Sequence, residues 1–260
     1  MAGIRKMLVA GLLLAATVSP TAAQAQDGAP VEVPLRVEAG RLVVPVLTTD
    51  GSELDFAISL GNVQTVFAES TAAMLGDGAE LTLGGLPVPT DDIATVPDAS
   101  LTDEGVALAG MISPNMLNRF DILVDVPGER LVLKPFGRSV EWEGMTMSDP
   151  VRLRIFHGIV LSLDIELNGM PYGAMLDLGT SRLIVNEGVR TAAGIAEQDV
   201  ITLGVGSATF ADMNVSVLDL DVLNRFDPDG KGFAIVGAPV AYDCAISISW
   251  VHQELRTCVR

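Results

Sequence analysis

Met175-Leu176-Asp177-Leu178-Gly179-Thr180-Ser181 is the stretch on which the reading of this 260-residue chain turns. An apolar run, Ala174-Met175-Leu176, delivers an acidic side chain, and a glycine follows two residues later. A strand running into a tight turn has this order, because glycine reaches backbone angles closed to other residues. Asp177 is therefore the first candidate for chemistry. Aspartate and glycine are also common turn residues for purely structural reasons, so the segment takes its meaning from what surrounds it.

What surrounds it is a second copy. With Gly61 laid over Gly179, Phe56-Ala57-Ile58-Ser59-Leu60-Gly61-Asn62 falls on Ala174-Met175-Leu176-Asp177-Leu178-Gly179-Thr180. Phe67-Ala68-Glu69 then falls on Val185-Asn186-Glu187. Short alanine-bearing helices follow in both copies, at 70–75 and 188–193, each closed by a glycine, Gly76 and Gly194. Leu81-Thr82-Leu83-Gly84 answers Ile201-Thr202-Leu203-Gly204, and Met111-Ile112-Ser113-Pro114 answers Ile235-Val236-Gly237-Ala238. Shared features in one order mark an internal duplication. The pentapeptide Leu-Asn-Arg-Phe-Asp occurs at both Leu117 and Leu223, at positions this alignment does not bring together, and reads as coincidence.

Short strands separated by turns account for most of both copies. The first reads as strands over 31–37, 42–47, 54–60, 81–83, 122–126 and 131–134, with Asp50-Gly51 and Pro127-Gly128 as turns. The second reads as 151–156, 160–167, 173–178, 200–203, 213–218 and 245–250, with Asn168-Gly169 as a two-residue hairpin loop. Helices are few and short, so the fold class is all-β.

Residues 1–25 read as a signal peptide: Arg5 and Lys6, an apolar run from Met7 to Val18, and the small-residue site Ala23-Gln24-Ala25. The expected location is a bacterial periplasm or the exterior. No later stretch approaches the roughly 18 apolar residues of a membrane helix, so no stable membrane insertion is expected once the leader is cleaved. The remaining chain, about 235 residues, suffices for one large β domain or two lobes with real cores. The formal charge of −17, from 16 basic and 33 acidic residues, argues against nucleic acid or an anionic membrane surface as partner.

An exported protein meets oxidising conditions, and Cys244 and Cys258 are expected to form a local disulfide near the C-terminus. Two thiols and two distant histidines, His157 and His252, do not make a metal-ligand set, and both histidines read as structural. No cofactor is implied.

A strand, then Asp177-Leu178-Gly179-Thr180-Ser181, a short helix and a later Ile235-Val236-Gly237 resemble the retropepsin-like and pepsin-like aspartic peptidases. That family's pattern is Asp-Thr/Ser-Gly-Ala/Thr/Ser followed by Ile-Leu-Gly. Gly110 to Leu117 looks like the equivalent second motif of the first copy, so the resemblance covers the mature chain twice. It implies a two-lobed acid-protease-like fold, with lobes over 26–148 and 149–260 and a polypeptide-binding cleft between them. It also implies that Asp177 holds the place of one catalytic aspartate, with Gly179, Thr180 and Gly61 lining the substrate site.

The other catalytic aspartate of the family falls on Ser59. Aspartic peptidases set two carboxylates against one water, and the pair shares a proton because both cannot ionise at such short range. A serine cannot supply the second charge, and no histidine or lysine nearby marks it as an activated nucleophile. Leu60 and Leu178 stand where the family carries hydroxyls that tie the two turns together, and Ser113 stands in place of a glycine.

These departures imply a degenerate member that retains the fold and cleft and has lost most or all proteolytic activity. A second reading is an active endopeptidase in which Asp92, Asp98 or another acid, or a second chain's Asp177, supplies the missing carboxylate. A third is a secreted, non-catalytic β binding module whose Asp-x-Gly turn is structural.

Overall fold

The computed structural model describes residues 29–259 except 77, 136–140, 157, 197–198, 221–222, 224–225 and 227–231. The expected leader and His157 lie outside the described residues.

The chain is all-β and two-lobed, and each half builds its own sheet around the same arrangement. In the first half the strand order is Leu86–Pro87, Leu81–Leu83, Arg41–Thr48, Glu53–Ile58, Gly110–Ile112, Thr65–Ala68, Ile93–Val96, with Arg36–Glu38 paired to Arg41–Thr48. In the second it is Arg154–Phe156, Val160–Leu167, Met170–Leu176, Phe233–Val236, Leu183–Val185, Ala208–Val217, Val200–Val205. Each sheet has one late strand inserted between two earlier ones. Gly110–Ile112 lies parallel to Glu53–Ile58 and antiparallel to Thr65–Ala68. Phe233–Val236 lies parallel to Met170–Leu176 and antiparallel to Leu183–Val185.

A third, six-stranded sheet joins the halves: Val31–Pro34, Arg130–Pro135, Phe120–Asp125, Ile246–Ser249, Glu254–Thr257, Val151–Arg152. Its first three strands belong to one copy and its last three to the other. The antiparallel seam between Phe120–Asp125 and Ile246–Ser249 is where the copies meet.

Two strands expected to be continuous are broken at equivalent points. The segment read as 31–37 leaves the six-stranded sheet at Leu35 and joins the first-half sheet as Arg36–Glu38. The segment read as 151–156 does the same at Leu153, continuing as Arg154–Phe156. Both leucines are buried, and their amides make matching bonds, Leu35 N to Glu129 O at 2.9 Å and Leu153 N to Gln253 O at 2.7 Å. Each pinned leucine lets one strand serve two sheets.

Hydrophobic alternation drives the packing. Leu42, Val44 and Val46, with Leu161, Leu163 and Ile165 in the other half, turn into one core that runs through both halves. Full burial of such a side chain is worth about 1.5–3 kcal/mol. The Asn168-Gly169 loop is as read: both residues have positive φ (51° and 77°), and Leu167 pairs directly with Met170. The short α-helices include α1 (Glu69–Leu75), α2 (Pro114–Leu117) and α3 (Glu187–Ala193). Asn186 caps α3 by accepting from Val189 N at 3.0 Å, and left-handed Gly194 ends it. Cys244 and Cys258 are disulfide-bonded.

Candidate functional site

Ser59 and Asp177 each occupy the first residue past a strand end, after Glu53–Ile58 and Met170–Leu176. The inserted strand fixes both backbones in the same way: Ser59 N donates to Ile112 O at 2.9 Å and Asp177 N to Val236 O at 2.9 Å. Equivalent residues of the two copies are thus delivered to the junction between halves by equivalent hydrogen bonds.

There they touch. Ser59 Oγ donates to Asp177 Oδ1 at 3.0 Å. The same oxygen accepts Leu60 N at 2.9 Å from the first half and Gly179 N at 2.9 Å from its own turn. Ser59 is buried and Asp177 half-buried. Asn62 Nδ2 donates to Ser59 Oγ at 3.0 Å and approaches Met111 Sδ at 3.7 Å. An amide nitrogen can only donate, so Asn62 leaves the Ser59 hydrogen directed at Asp177.

The two glycines make this approach possible. A Cβ on Gly61 would overlap Asp177, lying 2.7 Å from its Cγ, and a Cβ on Gly179 would lie 2.8 Å from Ser59 Cβ. Each glycine therefore faces the site residue of the opposite copy. Leu60 and Leu178, where hydroxyls stand in the resembling family, are fully buried within the shared core. Apolar packing takes the place of side-chain hydrogen bonds there, while Leu60 still reaches across through its backbone amide.

The second apolar-apolar-glycine motif explains itself locally. Gly237 sits so close to the Thr180 carbonyl that a Cβ would come within 2.5 Å of it, and Ala238 N donates to that carbonyl at 2.8 Å. In the first copy Ser113 fills the equivalent place, fully buried, with its Oγ 2.5 Å from Asn115 Oδ1. Thr65 Oγ1 donates to the same Asn115 oxygen at 3.2 Å. The missing glycine is thus replaced by a small polar cluster that satisfies its own hydrogen bonds.

The alternative carboxylates are engaged elsewhere. Asp98 Oδ1 accepts Ser70 N at 2.9 Å at the start of α1, and Asp92 accepts from Gln64. His252 is exposed in the turn before the last strand. Among the described residues, no group of three or more His, Cys, Asp or Glu is placed to hold a metal. A cavity of about 590 Å³ lies beside the disulfide, lined by Phe210, Met213, Pro239 and Tyr242 among others, and neither Ser59 nor Asp177 borders it.

Two participants escaped the sequence reading. Asn62 occupies the position of Thr180 in the repeat, and a polar residue following the turn glycine in both copies was the available signal. Tyr242 had none: its hydroxyl donates to Gly40 O at 2.6 Å across the halves, with a Cβ on Gly40 reaching 2.6 Å from Ser181 Cβ. The hairpin tip at Gly40 thereby buttresses the turn that carries Asp177.

Chemically, the arrangement is one carboxylate held by three donors, one of them a buried hydroxyl. Nothing in the contact supplies a second carboxyl to share a proton, as water activation by a dyad requires. Ser59 as a nucleophile would have to pass its proton to an oxygen already accepting two further hydrogen bonds, from Leu60 N and Gly179 N.

No protein-family model matches the sequence, and no curated protein matches it by sequence. Among solved structures, the crystal structure of aspartic proteinase from Irpex lacteus is similar, with a TM-score of 0.57 at 12% identity over 89% of this chain and 97% of that one. The likeness shows an aspartic-proteinase-like fold.

Proposed function

We propose that this chain is an exported aspartic-peptidase-like protein that has exchanged peptide-bond hydrolysis for binding of an extended polypeptide in the cleft between its lobes. The reading takes residues 1–25 as a cleaved leader, 26–148 and 149–260 as the two lobes, and the periplasm or exterior as the location. The observation that carries it is the hydrogen bond from Ser59 Oγ to Asp177 Oδ1, in the place where a catalytic pair needs a second carboxylate. Asp177 then serves as a cross-lobe acceptor, and Gly61, Gly179 and Thr180 shape the floor of the cleft.

The geometry favours this over an active endopeptidase. A second chain's Asp177 would have to reach a carboxylate already covered by Ser59, Leu60 and Gly61 of its own chain. Asp92 and Asp98 are bonded to other groups. The test is incubation of the purified chain with denatured proteins and peptide libraries between about pH 3 and 7, the products being read by mass spectrometry and retained peptides by pull-down. Enriched peptides without cleavage support the proposal. Pepstatin-sensitive cleavage abolished by Asp177→Asn overturns it in favour of the active enzyme, and neither binding nor cleavage overturns it in favour of a β module of another kind.

A further inference from the structure

Away from the Ser59–Asp177 contact, the group least at ease with its surroundings is Asp121. It is 1% exposed on the strand Phe120–Asp125 and lies directly opposite Ser249 in the seam that joins the halves. Ser249 Oγ donates to Asp121 Oδ1 at 2.5 Å, while Oδ2, equally buried, has no hydrogen-bond partner among the described residues. A carboxylate needs donors on both oxygens, and a buried oxygen without a protein donor penalises the charged form far more than the neutral acid.

The fold does not require a carboxyl here. The offset that places Glu129 on Gln253 places Asp121 on Ala245, a buried alanine at the equivalent point of the other copy. The duplicated scaffold accepts a small apolar residue at this position, and one copy carries an acid instead.

Charged groups approach from each neighbouring element. Lys134 pairs with Asp121 across the first-half strands, but its Nζ donates to Glu141 O at 3.0 Å and lies 5.3 Å from the Trp142 ring centre. His252 is exposed in the turn after Ser249, and Arg119 is exposed two residues before Asp121. Glu254, opposite Ser249 on the last strand, is bonded to Arg256. Burial outweighs the Ser249 hydrogen bond and the fields of His252 and Lys134, with Glu254 adding to it, and the Asp121 carboxyl is held above the usual carboxylate range.

We propose that the seam around buried Asp121 is an acid-tightened joint between the two halves, strengthened when Asp121 takes up a proton and loosened when it ionises. The native carboxyl keeps its proton to higher pH than the unfolded one, whose value is about 3.9. Stability from this group is therefore complete below that value, falls as pH rises toward the native value, and is flat beyond it. The joint is independent of whether the cleft cleaves or only binds.

The test compares thermal unfolding of the full chain and Asp121→Asn from about pH 4.5 to 7.5, asparagine being the neutral isostere. The variant's Tm relative to wild type is expected to climb by roughly 2–5 °C over that range. A relative Tm that does not change with pH overturns the proposal. A second measurement needs no variant: a carbon-13 titration of the Asp121 carboxyl, with corrected amide-exchange protection of Ile122 and Ile248. Titration above the ordinary range, with protection greater on its acid side, supports the joint, and titration in the ordinary range or protection that ignores it overturns the proposal.

Discussion

Ser59 and Asp177 come from equivalent turns 118 residues apart and meet at 3.0 Å, hydroxyl to carboxylate. With Leu60 N and Gly179 N on the same carboxylate oxygen, Asp177 gathers donors from both halves of the molecule. The carboxylate thus holds the junction together, a role that the duplication alone does not require of it.

Removing that acceptor should be costly. Asp177→Ala leaves the Leu60 and Gly179 amides without their shared partner, and hydrogen bonds to a charged group are worth about 1.5–3 kcal/mol each when lost. A destabilisation of about 2–4 kcal/mol is expected in urea unfolding, against about 1–2 kcal/mol for Asp177→Asn, which keeps an oxygen acceptor. Equal effects of the two substitutions would mean that the amides find other partners.

Ser59→Asp sets a second carboxyl against the first. Like charges at this range share one proton, so the apparent upper titration of the pair is raised. Stability gained from proton uptake is then present in acid and lost as pH rises through that titration, making the variant about 2–3 kcal/mol worse, relative to wild type, at pH 7 than at pH 4. If Ser59 is the decisive loss, acid-dependent, pepstatin-sensitive cleavage should also appear in the variant and not in wild type, as read by mass spectrometry of a denatured substrate. A silent variant would shift the blame to Leu60 and Leu178.

The repeat was legible because close approaches forced it into the sequence. Gly61 and Gly179 each face atoms of the other copy that leave no room for a side chain, so a glycine recurs at the same point of both copies; Gly237 is equally confined, while its counterpart in the first copy is Ser113. Thr65–Ala68 and Leu183–Val185 were missed as strands, being short runs with no clean polar alternation to betray them. Pairing on both sides makes them strands, a property of the sheet and not of their own residues. Ala208–Val217 begins earlier than expected because a bulge opposite Thr202 absorbs extra residues, with Asp212 in the left-handed region at φ 57°. The site was half legible: the repeat aligned Ser59 with Asp177, but contacts such as Asn62 to Ser59 and Tyr242 to Gly40 depend on how the halves dock.

Gly61→Ala should expose the tightness of the junction. Its Cβ would press on the Asp177 carboxyl, and overpacking of this kind costs about 1–3 kcal/mol. Because the clash is with one side chain, it should be largely relieved in Gly61→Ala/Asp177→Ala. A double-mutant cycle by chemical denaturation should give a coupling of about 1 kcal/mol or more. Simple additivity would place the strain in the Gly61 backbone instead.

Tyr242 offers a pH-dependent probe of the same junction. Burial holds its hydroxyl above the usual tyrosine range, and that hydroxyl donates to Gly40 O at 2.6 Å. The unfolded chain ionises this group near pH 10 while the native chain still holds its proton, so the stability it contributes is full below about pH 10 and lost above it. Tyr242→Phe should therefore be about 1 kcal/mol less stable at pH 7 through the lost hydrogen bond, yet decline less steeply between about pH 9.5 and 11. Urea midpoints of both proteins across that range should converge. Parallel curves would show that the native hydroxyl titrates as freely as the unfolded one, and that the Gly40 tip does not seal it from solvent.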